Sequence, residues 1–141
     1  MLTRFRAELC IDQSRIFAMG FSAGAIQTIT IGCAESAVFR AIAPMSGSLQ
    51  GMSCGGTTPI AYWGSHGTND PTIAIAQGRT VRDTFHDRNH CSTTTVPGNP
   101  SGCVDYQGCD AGKPVSWCEF TGVHEPPPYS GEAIWRFFSQ F

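Results

Sequence analysis

No stretch of this sequence is apolar and long enough to cross a bilayer. No charge of one sign dominates: nine Lys and Arg stand against eleven Asp and Glu, a net charge of −2. That balance removes the usual grounds for expecting nucleic acid or a membrane surface as a partner. There is no Asn-x-Ser/Thr sequon, because Asn99 is followed by Pro100. There is no Cys-x-x-Cys pair, so a cysteine-ligated zinc is set aside. The opening residues, MLTRFRAELCID, lack the unbroken apolar core of a secretory leader, since Arg4, Arg6 and Glu8 interrupt them.

Cysteine, by contrast, is abundant, with seven in 141 residues. Such a load belongs to oxidising compartments. A secreted-type cysteine content without a leader, and with an odd count, is contradictory. It leads to the expectation that the chain is the remainder of a longer secreted protein that has lost its N-terminal part. The length suits one domain, taken as residues 1–141.

The pattern along the chain predicts an α/β fold with a parallel sheet. Residues 2–9 read as the last turns of a helix, 14–19 (SRIFAM) as a strand, and 23–34 (AGAIQTITIGCA) as a helix. Residues 39–44 read as a second strand. The continuous apolar run 59–65 (PIAYWGS) reads as a strand buried on both faces. Asp70-Pro71 is predicted to open a helix reaching about Arg88, with Asp as cap and Pro in the first turn. Residues 89–113, rich in Gly, Pro, Ser, Thr and Cys, read as a cross-linked surface loop with a short strand near 104–107. Residues 115–120 (VSWCEF) form the last strand and 132–141 a C-terminal helix. Trp135, Phe137, Phe138 and Phe141 are its expected core anchors, and Trp63 and Trp117 are expected core residues.

Between the first strand and the helix after it lies Gly20-Phe21-Ser22-Ala23-Gly24. A serine at such a turn is lifted off the end of the sheet onto a helix N-terminus, whose free N–H groups and partial positive charge suit a developing oxyanion. The Ala23 N–H is the candidate oxyanion donor. A tight Gly-rich turn without chemistry is the alternative reading.

A serine hydroxyl needs a histidine base, and the histidine needs an acid to orient it. Sites built on this turn carry them in the order Ser, Asp or Glu, His. Asp70, directly after the most apolar strand, fits the acid, although it also suits a helix cap. Asp83, Asp87, Asp105 and Asp110 are weaker candidates. His124, on the Pro-rich loop after the last strand, fits the base. His66 is the runner-up, and His86 and His90 fall at a helix end. Phe21 and Tyr129 flank the serine and the histidine loop and are candidate substrate contacts.

Five stretches together, LCIDQSRIFAMGFSAGA, AIAPMSG, YWGSHGTND, VSWCEFTGVHEPP and IWRFFSQF, resemble the C-terminal part of the fungal feruloyl esterases of carbohydrate esterase family 1, relatives of polyhydroxybutyrate depolymerases. The resemblance implies an α/β-hydrolase fold, N-terminally truncated here, with secretion and no cofactor. It implies Ser22 as nucleophile, Asp70 as acid and His124 as base. The implied substrates are feruloylated arabinoxylan, acetylated xylan or polyesters. The strands that would precede residue 14, with the loop donating a second oxyanion N–H, are not in this sequence. Their absence predicts an open sheet edge beside the nucleophile strand, prone to self-association. An inactive remnant and a serine peptidase of the same fold are the alternatives.

Position along the chain suggests three cysteine pairs. Cys10 would join Cys33 at the sheet end away from the site, Cys103 would join Cys109 across a turn, and Cys91 would join Cys118. Cys54 would be left without a partner.

Overall fold

The computed structural model describes residues 2–141. Ten elements follow one another: α1 (Leu2–Glu8), β1 (Phe17–Phe21), α2 (Ala23–Ala34), β2 (Ala41–Met45), β3 (Ala61–Gly67), α3 (Ile75–Arg88), β4 (Thr95–Pro97), β5 (Cys103–Tyr106), β6 (Val115–Phe120) and α4 (Ser130–Phe138). The six strands form one sheet in the order β1-β2-β3-β6-β5-β4. The first four in that order run parallel, and β5 and β4 run antiparallel to their neighbours. The expected strands lie within a few residues of the observed ones, and α2 has the expected bounds. Within it Thr28 and Thr30 donate their hydroxyls back to the carbonyls of Gly24 and Ile26, one turn earlier.

All seven residues of β3 are buried, as a parallel strand covered on both faces requires. One face of the sheet places Ala43, Ala61 and Trp63 against Ile134, Phe137 and Phe138 of α4. The other places Ile42, Tyr62 and Trp117 against Ile29 of α2 and Val81 and Phe85 of α3. The α4 stripe is Ala133, Ile134, Phe137 and Phe138. Trp135 falls off that stripe and is 70% exposed, so it is not the anchor its aromatic character suggested. Phe141 is partly buried beneath Arg40, whose guanidinium lies 3.9 Å from its ring centre. Strand β1 is the open edge of the parallel part, and Met19 on it is 57% exposed.

Three further expectations fail. First, residues 89–113 are not a loop with one short strand. They fold back as the β4–β5 hairpin, and β5 extends the sheet by pairing with β6. The backbone groups of β6 fix this, because without β5 one edge of a buried strand would go unpaired. Second, α3 begins at Ile75 rather than at Asp70-Pro71. The Asp70 carboxylate instead accepts the N–H groups of Thr72 and Ile73 in a local turn. Third, every cysteine pairing differs from expectation. The bridges are Cys33–Cys54, Cys91–Cys109 and Cys103–Cys118, and Cys10 is free and exposed. Cys103 and Cys118 are direct register partners across β5 and β6. Cys91 and Cys109 lie just outside the ends of the hairpin, beside the Ser92–Gln107 backbone bond of 2.8 Å. The 46–60 connection returns past the end of α2, where the buried Arg88 guanidinium touches both the Cys33 carbonyl and the Cys54 sulfur. That return brings Cys54, not Cys10, to Cys33.

Candidate active site

Ser22 sits between the last residue of β1 and the first of α2 with φ 54° and ψ −118°. Positive φ is costly for a side chain other than glycine, and it persists here because the turn is held on both sides. The Ser22 N–H donates to the Met45 carbonyl of β2 at 3.1 Å, and its carbonyl accepts the Ile26 N–H at 3.1 Å as a first bond of α2. The close return of the helix needs Gly20, where a Cβ would run into the carbonyl of Gly24. Gly24 itself has open space where a Cβ would stand.

Asp70 follows β3 by three residues, and its side chain is inaccessible to solvent. Oδ1 accepts the N–H groups of Thr72 and Ile73 at 2.8 and 2.9 Å. Oδ2 lies 2.8 Å from Nδ1 of His124, on the loop after β6. Burial alone would raise the Asp70 carboxyl. The Ile73 N–H, the His124 ring and the Thr72 N–H outweigh it and hold the carboxyl below its ordinary range.

His124 Nε2 lies 2.8 Å from Ser22 Oγ. A carboxylate only accepts, so Nδ1 of the neutral ring carries the proton, and Nε2 is left to accept from the serine hydroxyl. The Phe21 ring stands 4.9 Å from the His124 ring, centre to centre. The Ala23 N–H is the first of α2 and so has no partner within the helix. Three residues from three connections, after β1, β3 and β6, thus meet at the C-terminal edge of the parallel strands. The arrangement is chemically able to deprotonate an alcohol and to stabilise the imidazolium that results.

The remaining candidates lie elsewhere. Tyr129 packs edge-on to Phe120, its hydroxyl buried without a partner, at the start of α4. Asp83 pairs with Arg82, Asp87 with His86, and Asp110 with His90, while Asp105 accepts the Ser116 hydroxyl. His66 is fully buried and its Nε2 is bound to the Ile73 carbonyl at 2.8 Å, so it is not free to act as a base. The sequence places His66 beside Asp70 at a strand end as a structural residue, and the structure adds that its Nε2 binds the Ile73 carbonyl of the Asp70 turn. The available signal was its position four residues before Asp70, at the end of the most apolar strand.

The profile of a family described as phospholipase/carboxylesterase matches residues 2–106. Feruloyl esterase D of Neurospora crassa is 36% identical over 146 residues, covering 94% of this chain and 50% of the relative. Feruloyl esterase C of Emericella nidulans is 38% identical over 142 residues, covering 93% and 52%. The chain therefore spans about half the length of the curated relatives it matches. Among solved structures, an acetyl xylan esterase from Aspergillus awamori superposes with a TM-score of 0.75 at 16% identity, over 99% of this chain and 64% of that one. The Bacillus cereus carboxylesterase superposes with a TM-score of 0.69 at 15% identity, over 99% and 56%.

Proposed function

Because the chain belongs to the phospholipase/carboxylesterase family and has the α/β-hydrolase fold, we propose that it carries the nucleophile, base and acid of a secreted serine carboxylic-ester hydrolase acting on hydroxycinnamoyl esters of plant-wall polysaccharide. The reading rests above all on the unbroken relay Ser22 Oγ, His124 Nε2, His124 Nδ1, Asp70 Oδ2, with both hydrogen bonds at 2.8 Å.

In the proposed reaction Ser22 Oγ attacks the ester carbonyl while His124 Nε2 takes its proton. Asp70 keeps the ring oriented and stabilises the imidazolium without itself being protonated. The carbonyl oxygen, now negative, is held by the Ala23 N–H. As the tetrahedral intermediate collapses, the bond to the alcohol oxygen breaks and His124 returns the proton to that oxygen. Water then attacks the acyl-serine with His124 again as base. This second attack releases the acid and restores Ser22. Phe21, beside the imidazole, forms one wall for the acyl group.

The ester class is supported by the relatives named feruloyl esterase and by the neighbour named acetyl xylan esterase. Secretion is supported by the three disulfides, which form in oxidising compartments.

Hydrolysis of methyl ferulate and p-nitrophenyl acetate tests the function. The 141-residue chain is expected to cleave both, leaving a peptide anilide intact, and Ser22→Ala to abolish cleavage. Equal rates for wild type and Ser22→Ala contradict the reading.

A further inference from the structure

His66 ends β3 beside the relay without belonging to it. Its ring is fully buried, and its two nitrogens have different surroundings. Nε2 lies 2.8 Å from the Ile73 carbonyl oxygen and 3.4 Å from Asp70 Oδ2. Both oxygens only accept hydrogen bonds, so Nε2 carries the ring proton and points between them. Nδ1 is left with a lone pair and has no hydrogen-bond partner among the described residues. Its edge of the ring is pressed against Gly78 of α3, where a Cβ would collide with Nδ1.

Leaving a buried acceptor unpaired is unfavourable. As mere filling between β3 and α3, an apolar side chain would be better. The imidazole is accounted for by its other nitrogen.

We propose that His66 is a positioning residue whose Nε2–H fastens the 70–73 turn, so that the Asp70 carboxylate is held facing His124. The contacts close a ring. His66 holds the Ile73 carbonyl, the Ile73 N–H holds Asp70 Oδ1, and Asp70 Oδ2 returns to within 3.4 Å of His66 Nε2. Oδ1 is further held by the Thr72 N–H. One side of this ring is β3, a strand with every residue buried and lying between β2 and β6, and therefore a rigid support. With Oδ1 bound and the turn fastened, the carboxylate has little freedom left. Oδ2 then stands where the His124 Nδ1–H points. Without His66, the Ile73 carbonyl loses its partner, the turn loosens, and the acid is free to swing out of line with the base. Geometry held to within a fraction of an ångström is what such relays require.

The inference rests on the relay proposed above, and its test separates the two. In the 141-residue chain with 15N-labelled histidine, long-range 1H–15N spectra are expected to show His66 in the Nε2–H form. The Nδ1–H form overturns the proposal, whatever any variant does. Two variants then probe the consequence, read from the low-field proton resonance of His124 Nδ1–H and its exchange with water. His66→Leu, which keeps bulk and removes the donor, is expected to increase that exchange on the order of tenfold and broaden the resonance. His66→Gln, whose amide N–H reaches to the place of Nε2, is expected to restore most of the protection. A purely structural His66 would lower thermal stability in both variants and leave the His124 proton unchanged, and that result overturns the proposal. Should the Leu variant fail to fold, the tautomer and the Gln variant still decide. Asp70→Asn is the control: if it too leaves the His124 proton unmoved, the relay reading itself fails.

Discussion

The two glycines flanking Ser22 occupy different environments, and replacing each by alanine turns that difference into a measurement. A Cβ on Gly20 falls against the carbonyl carbon and oxygen of Gly24 and stands 2.9 Å from Thr28 Oγ1. Most of these are backbone atoms in the first turn of α2 and cannot rotate aside. Relief to ordinary contact distances requires the helix to back away from β1 by about 1 Å. That movement shifts the turn carrying Ser22 relative to His124. Overpacking of a filled interior costs about 1–3 kcal/mol, and a clash with backbone belongs at the upper end. For a chain of 141 residues each kcal/mol moves the melting temperature by about 3 °C, so Gly20→Ala is expected to melt about 6–10 °C lower. At Gly24 a Cβ meets nothing within 4 Å, and alanine is the better helix former. Gly24→Ala is therefore expected to be neutral or stabilising by up to about 0.5 kcal/mol. Circular dichroism melts of the two variants beside wild type give the answer. Equal melting temperatures, or a larger loss at Gly24 than at Gly20, refute the close packing of β1, Ser22 and α2.

Non-reducing peptide mapping is expected to recover the links Cys33–Cys54, Cys91–Cys109 and Cys103–Cys118, with Cys10 alkylated without reductant; Cys10 in any bridge contradicts the fold around α2. Replacing both Cys103 and Cys118 by alanine opens a loop of sequence separation 15 and is expected to cost about 3 kcal/mol in urea unfolding, against no change if the hairpin does not close on β6. The Asp70 carboxyl is held below its ordinary value of 3.8 in the folded chain, so its charged form contributes stability above that value. The contribution is lost as pH falls through the depressed folded value. Asp70→Asn is expected to lower stability at neutral pH and to flatten the acid limb of the stability profile; an unchanged acid limb contradicts the hydrogen-bonded, ionised state of Asp70.

Local chemistry and burial made the parallel core readable from sequence. Tyr62, Trp63 and their neighbours form an apolar run because β3 is covered on both sides. The stretch from Gly20 to Gly24 has the composition of a tight strand-to-helix turn. What could not be read depends on contacts between distant parts of the chain. Asp70-Pro71 looks like a helix start, yet the carboxylate and the neighbouring Ile73 carbonyl are engaged by His124 and His66, and the helix waits until Ile75. The 95–106 hairpin has little apolar alternation, and β4 is wholly exposed. Its strand character comes from the β6 edge and the Cys103–Cys118 bridge. Cysteine pairing is a property of where connections return, and nothing local in the sequence reports that Cys54 passes Cys33. Trp135 shows that an aromatic at helical spacing is no anchor when it lies off the buried stripe. The base and acid candidates were legible by chain order. The part of His66 was not, because it depends on which ring nitrogen faces which oxygen.

The central claim is that His124, oriented by Asp70, activates the Ser22 hydroxyl. The most direct measurement is covalent labelling of the folded chain with a fluorophosphonate, followed by intact mass and peptide mapping. The account predicts one adduct, on Ser22, absent in Ser22→Ala and strongly slowed in His124→Ala. A folded chain that takes no label, or takes it on another serine, contradicts it.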